Sequence, residues 1–261
     1  MRNIAKFITD LAFADDVALL SSSINNAKKL LKSIEKIAAT VGLFINLDKT
    51  EYIMVGDWKI EDYKKEIKIN EGKIKLVTDF KYLGSWVMSS SRDFEIRKES
   101  AWKAALSLNR IWKSKILSRN TILRIFKSTV ESVLLYGSET WSMTKVLNKR
   151  LDGCYTKLLR YIFNIKWTQH ISNIDLYGKL DPISTVLRKR RLRFAGHCFR
   201  TFQSEPQPIS DLLFWQPNSK FNDKHAKKTY LKQLIEDSCG RSIDELKVDM
   251  LDRDEWRRNL N

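Results

Sequence analysis

The chain has 261 residues, 43% hydrophobic and 30% charged, with 47 Lys and Arg against 31 Asp and Glu. That apolar content excludes wholesale disorder, and no run approaches the roughly 18–20 apolar residues of a membrane-spanning helix. Three far-apart cysteines, an odd number, exclude a disulfide scaffold. They fit a reducing, intracellular compartment, nucleus or cytoplasm. No apolar leader precedes the first predicted strand, so no signal peptide is expected. The net charge of +16 is unevenly placed. Residues 92–200 carry 23 basic and 8 acidic side chains, a net of +15, whereas residues 221–261 carry 9 of each. A concentrated basic block suits a polyanion.

In chain order, residues 8–13 and 17–20 read as two short strands around Phe13-Ala14-Asp15-Asp16. Such a hairpin sets two adjacent carboxylates at its tip. Burying apolar strands while projecting paired acids is costly unless the acids have a task. Next comes a helix with Ala27, Leu30, Leu31, Ile34, Ile37, Ala38 and Val41 on one face and Lys28, Lys29, Lys32 and Lys36 on the other. Asn25 or a nearby serine caps it, and Gly42 stops it. Residues 52–56 read as a strand. Ile67-Lys68-Ile69 and Ile74-Lys75-Leu76 alternate around Asn70-Glu71-Gly72 as a hairpin, and residues 80–88 are extended.

At Ser90-Ser91 the period becomes helical, with Ala101, Ala104, Ala105, Leu108, Ile111 and Trp112 in phase. Ser118 caps a second helix reaching Tyr136-Gly137. Thr144 starts a third, with Leu147, Leu151, Cys154, Leu158 and Ile162 inward. After a break at residues 167–172, Asp181-Pro182 starts a helix through residues 188–200. Residues 203–222, with three prolines, read as a linker. Two short helices close the chain, begun by capping boxes at Ser242/Glu245 and Asp252/Glu255.

The acid turn with its flanking strands resembles the palm turn of reverse transcriptases from non-LTR retrotransposons. Further segments are similar in the same order. The residues from Gly42 through Ile45, Asn46 and Asp48 to Thr50 resemble the segment after the palm helix. Phe80-Lys81-Tyr82-Leu83-Gly84 resembles the primer-grip hairpin. Val133-Leu134-Leu135-Tyr136-Gly137-Ser138-Glu139-Thr140-Trp141 resembles a thumb-region signature. Arg190-Arg191-Leu192-Arg193-Phe194-Ala195-Gly196-His197 and Asp252-Arg253-Asp254-Glu255-Trp256-Arg257-Arg258 resemble two C-terminal signatures.

The resemblance implies an α+β fold: a partial polymerase palm (hairpins plus helix), then a mostly α-helical thumb and C-terminal region. Residues 1–90 would be palm with the primer-grip hairpin, 91–168 the helical thumb, and 169–261 a basic helical C-terminal region. Asp15 and Asp16 would be Mg²⁺-binding acids for two-metal nucleotidyl transfer. Lys49 would lie near the incoming dNTP as a proton donor. Tyr82, Leu83 and Gly84 would seat the primer end. The partners implied are an RNA template and a DNA primer or duplex, without a membrane. The family's other palm aspartate and its fingers lie upstream of the acid turn, so this stretch is expected to be catalytically incompetent alone. The alternative is a non-catalytic, charge-driven RNA- or DNA-binding protein derived from a retroelement.

Two basic segments stand out for phosphate contact. Around Trp102 and Trp112 lie Arg97, Lys98, Lys103, Arg110, Lys113, Lys115, Arg119, Arg124 and Lys127, with Glu99 the sole acid. Both tryptophans fall near the apolar stripe and read as core. Residues 188–200 hold six basic residues and no acid, among them Arg188, Arg190, Arg191 and Arg193. His197-Cys198, His225 and Cys239 have zinc-ligand chemistry, but their spacing matches no compact finger.

Overall fold

The computed structural model describes residues 9–56, 66–69, 72–87, 89–201, 208–216 and 228–260. The chain divides between Met88 and Ser89 into two units.

In the first unit, β1 (Asp10–Phe13) and β2 (Asp16–Leu19) pair antiparallel, with Phe13 opposite Asp16. The turn is therefore two residues, Ala14 and Asp15, and Asp16 belongs to the second strand. Ile8, expected in the first strand, lies outside the described residues. Helix α1 (Ile24–Thr40) starts at Ser23, whose hydroxyl accepts from the Asn26 N–H. Gly42, at φ +76, follows its end. Ile24 is buried with Ile67 and Ile74. Ile37 and Val41 share the expected inward stripe yet are 67% and 70% exposed. The sheet below supports only the helix's first turns.

That sheet has the order β3-β5-β4. The strands β3 (Glu51–Tyr52) and β5 (Gly72–Leu76) are parallel, and β4 (Ile67–Ile69) is antiparallel to β5. The loop residues Asn70 and Glu71 lie outside the described residues, as does Met88. The extended stretch expected at 80–88 folds back on itself. Its strands β6 (Lys81–Tyr82) and β7 (Ser85–Trp86) flank Leu83 at φ +47 and Gly84 at φ +82. Positive φ at both central residues is the type I′ pattern that suits strand twist.

The second unit is helical. Helix α2 (Ser90–Ser107) is capped by Ser89, and α3 (Asn109–Trp112) follows directly. Ser118 caps α4 (Arg119–Phe126), which runs through a π-type stretch (Lys127–Glu131) into α5 (Ser132–Leu134). The segment expected as one regular helix thus contains an i→i+5 stretch. Thr144 caps α6 (Lys145–Ile162), and its five predicted inward residues are buried. A short helix not foreseen, α7 (Asn173–Tyr177), follows.

The start of α8 (Ile183–Thr201) differs from expectation. Its Ser184 N–H and hydroxyl donate to the Asp152 carboxylate on α6, at 2.9 and 2.8 Å. Asp181 instead accepts from Lys189 at 3.1 Å. The cap comes from a neighbouring helix because α6 and α8 pack together. Part of the expected linker forms α9 (Pro208–Leu213), while residues 202–207 and 217–227, with His225, lie outside the described residues. Helix α10 (Tyr230–Asp237) precedes the two expected terminal helices, α11 (Ile243–Leu251) and α12 (Arg253–Arg258). Ser242 and Glu245 form the reciprocal capping box. Asp252 accepts from the N–H groups of Asp254 and Glu255.

Two apolar clusters hold this unit. One runs from Phe94 to Leu187 and the other from Leu192 to Leu260, so α8 contributes to both. The first continues past residue 168 through Leu176, Ile183 and Leu187. Each fully buried Leu or Ile contributes on the order of 1.5–3 kcal/mol. Trp112 is buried and donates to the Ala105 carbonyl at 2.7 Å. Trp102 packs half-buried against the same cluster, edge-on to Tyr161. Both are packing groups.

Candidate nucleic-acid interface

Asp15 and Asp16 are exposed, and so is most of the hairpin that carries them, Ala18 and Leu19 being half-buried. Leu11, Phe13 and Val17 are 44%, 64% and 48% exposed. The expected burial of these strands is not seen, because among the described residues the apolar cluster of this unit gathers around Ile24, Ile67 and Ile74 instead. Among the described residues no three His, Cys, Asp or Glu side chains converge as a metal site. Two exposed aspartates do not supply the ligands of a two-metal centre, so the set here does not fit one by itself.

Lys49 lies on a turn in which its N–H donates to the Asn46 side chain at 3.2 Å. Among the described residues no hydrogen bond or ion pair joins its side chain to either aspartate. Tyr82 is placed more firmly. Its hydroxyl donates to the Leu11 carbonyl at 3.1 Å, tying the second motif hairpin to the first across 71 residues. Leu83 and Gly84 form the turn beside it.

The first basic segment faces solvent. Lys103 lies on α2, Arg110 on α3, Lys113 and Lys115 just beyond, Arg124 on α4, and Lys127 at the start of the π-type stretch; all six are exposed. None has a side-chain hydrogen bond or ion pair with a described residue. Three other cations of the segment are engaged. Arg119 donates to the Leu176 carbonyl at 2.8 Å and lies 4.0 Å from the centre of the Phe163 ring. Arg97 lies 3.8 Å from Asp93 and 4.4 Å from the Tyr136 ring centre, and Lys98 pairs with Glu95.

The second segment turns inward. Arg191 is 1% exposed and pairs with Asp237 of α10. Arg190 meets Glu139, with Nε donating at 2.9 Å and Nη2 at 2.7 Å. Arg188 is half-buried, its Nη1 3.7 Å from the Cys239 sulfur. Arg200 donates to the Met250 carbonyl at 2.7 Å, and burial, then Arg253 and Arg257, pull its pKa down. Of the four arginines expected to grip phosphate, Arg193 alone is exposed. This corrects the reading of Arg191 as a surface contact, and Arg190 is committed to an internal ion pair. The reason is tertiary. No acid lies within 188–200, but Glu139 and Asp237 arrive from distant segments. Those two carboxylates are the residues that local charge counting misses, and no signal within the segment marks them.

Compared with known proteins, residues 104–136 match a family model described as a domain of unknown function (DUF6451). That span holds Arg110, Lys113, Lys115, Arg119, Arg124 and Lys127. The chain is also similar to an uncharacterised transposon-derived protein of Caenorhabditis elegans. The two are 29% identical over 213 residues, covering 77% of this chain and 75% of the relative. No solved structure matches. No helix of the described residues is long and apolar enough to cross a membrane.

Proposed function

We propose that the chain is of transposable-element origin, descended from the palm-end, thumb and C-terminal part of a non-LTR reverse transcriptase, and that its own activity is charge-driven binding of duplex nucleic acid. The origin is supported by the ordered motif blocks and by the similarity to a transposon-derived protein. The binding reading rests on one observation: six exposed cations between Lys103 and Lys127 without an internal partner among the described residues. Unpaired Lys and Arg on a helical surface meet phosphates as point charges and carry no base readout. The partner is a duplex, either DNA or the RNA–DNA hybrid of template and primer.

In the polymerase lineage Asp15 and Asp16 would hold Mg²⁺, Lys49 would face the dNTP, and Tyr82, Leu83 and Gly84 would seat the primer. Bound Mg²⁺ would supply activation of the 3′-hydroxyl and neutralisation of the leaving pyrophosphate. In this reading the chain by itself extends no primer, since two aspartates do not complete that site. Extension that is lost on Asp15→Ala would restore the catalytic assignment.

Fluorescence anisotropy with a short duplex, titrated between about 50 and 200 mM salt, tests the binding activity. If all six cations contact phosphate, log K falls against log salt with a slope of roughly −5. Unrelated sequences should bind equally. A flat salt dependence, or no binding at the low-salt end, would remove the reading.

A further inference from the structure

Trp167 is the most exposed tryptophan among the described residues, at 83%, whereas Trp112, Trp141 and Trp256 are buried. It opens a 3₁₀ turn (Trp167–Gln169) between α6 and α7. A single exposed apolar side chain is ordinary. Two features set this one apart.

The first is that its loop is fixed. The Lys166 N–H donates to the Gln169 side chain at 2.8 Å, and the Gln169 N–H donates back to the Lys166 carbonyl at 3.1 Å, so the turn is closed on both sides of the ring. At one end of the loop the Asn164 amide donates to the Trp112 carbonyl at 2.7 Å. At the other, Arg160 donates to the Ile171 carbonyl at 2.7 Å and to the Asn173 side chain at 2.9 Å. The Trp167 indole has no hydrogen bond, ring contact or cation partner among the described residues. A ring held in solvent by a loop tied at both ends meets a ligand with little left to order.

The second is its company. Asn164 bonds to the residue directly before Lys113, and three residues of chain span at most about 11 Å, so Trp167 lies within that distance of Asn164. Tyr161 donates to the Asn109 side chain at 3.2 Å, and Arg119 donates to the Leu176 carbonyl at 2.8 Å. Residues 109–119 and 161–176 are thereby stitched together. Arg110, Lys113 and Lys115 on the first stretch and Lys166 on the second are exposed cations without a partner among the described residues. The two stretches hold one carboxylate, Asp175, and it accepts from the Ser172 hydroxyl at 2.6 Å. Ile116 and Ile174 are exposed on the same stretches. Apolar groups alone suit a protein partner, but the centres of protein interfaces are depleted of lysine. An aromatic ring among free cations suits a nucleic-acid strand: the charges track phosphates and the ring takes a base.

We propose that Trp167 is a stacking platform for an unpaired base, so that this surface engages a duplex together with its single-stranded extension. The proposal rests on the duplex-binding reading and adds a preference for the junction over a blunt duplex. Every base has a π-face, so no base sequence is selected.

Fluorescence anisotropy of the full chain tests it with three ligands that share one duplex: blunt, with an unpaired extension of about six nucleotides (about 20 Å at 3.4 Å each), and with the same extension made abasic. The extension is placed on the 3′ and on the 5′ strand in turn. On one of them the intact extension should bind about five- to a hundredfold more tightly than the abasic one, the worth of one base stacked on an aromatic ring. Stacking releases no counterions, so that ratio should hold between about 50 and 200 mM salt while both affinities fall. Trp167→Leu keeps an apolar side chain without a π-face and should abolish the ratio; Trp167→Phe should keep part of it. Neither should alter blunt-duplex binding or the circular dichroism spectrum. Lys113→Gln with Lys115→Gln should weaken all three ligands and leave the ratio. Equal binding of intact and abasic extensions, or a ratio indifferent to Trp167→Leu, with blunt-duplex binding intact, overturns the proposal and leaves the duplex reading standing. If the blunt duplex does not bind at low salt, the duplex reading falls, and the same ratio measured on the free single strand decides the platform. A dimer in sedimentation that Trp167→Leu dissolves, with no intact-over-abasic ratio, overturns the proposal in favour of a second copy of the chain on this ring.

Discussion

Residues 103–127 carry seven basic side chains and no acid; residues 188–200 carry six and no acid. In the fold, six cations of the first segment face solvent without a partner among the described residues. In the second, Lys189, Arg190 and Arg191 meet Asp181, Glu139 and Asp237. Similar charge in sequence thus becomes an unpaired surface in one place and a set of ion pairs, one of them buried, in the other. What decides is whether carboxylates arrive from elsewhere. Composition speaks for a polyanion partner; only tertiary structure says which cations remain for it.

The strongest way to break this comparison is at Asp237. Asp237→Ala leaves Arg191 buried and uncompensated, and should cost about 3–5 kcal/mol in urea unfolding. Replacing both, as Arg191→Met with Asp237→Leu, should recover much of that loss, because the pair also carries the cost of taking two charges out of water. A small effect of Asp237→Ala would mean that Arg191 reaches solvent and that the two segments are alike.

Next comes the exposed segment. Arg110→Gln, Lys113→Gln and Lys115→Gln together should reduce the salt slope by roughly one per contact, evenly across duplex sequences, with little change in stability. Arg190→Gln should do the reverse: a loss of stability and a small change in duplex affinity. The opposite ranking would move the duplex surface to α8.

Gly196 sharpens the structural role of α8. A Cβ there would lie 2.6 Å from the Trp256 indole nitrogen, which itself donates to the Leu192 carbonyl at 3.0 Å. Gly196→Ala forces this ring to move and should cost about 1–3 kcal/mol, without altering duplex affinity. Unchanged thermal stability would show a looser packing of α8 on α12.

The smallest effect is on pH. Hydrogen bonds from Ser242, backbone then side chain, hold the Glu245 carboxyl below its ordinary value. The Glu255 and Asp254 N–H groups do the same for Asp252. A lowered folded-state pKa gives stability that is present above the unfolded value and lost as pH falls through the folded one. Helicity at the C-terminus should therefore weaken below the usual carboxylate range, about pH 4. Glu245→Gln should flatten its share of that titration.

Much of the architecture was legible in the sequence. Ser118, Thr144 and Ser242 mark helix starts because a hydroxyl before an apolar period signals a cap. Leu147, Leu151, Cys154, Leu158 and Ile162 are buried because their spacing holds one face to the core. The π-type stretch was not legible, since one extra residue in a turn barely disturbs an apolar period. The cap at Asp152 and the partners Glu139 and Asp237 were hidden for another reason: each acts on a residue 32 to 51 positions away. The acid turn was visible as a motif, but its exposure depends on what covers β1 and β2, which no local pattern reports.

The bond from Tyr82 to the Leu11 carbonyl has a mechanical consequence. The hairpins it joins both turn through non-glycine residues in the left-handed region, Ala14 at φ +52 and Leu83 at φ +47. Each such residue stores about 1–3 kcal/mol of strain, and the second hairpin has only two residues per strand to hold it. One phenol hydroxyl therefore acts as a tie-rod between two sprung turns. Cutting it, as in Tyr82→Phe, should weaken the response of a probe on Leu83 to a change made at Ala14.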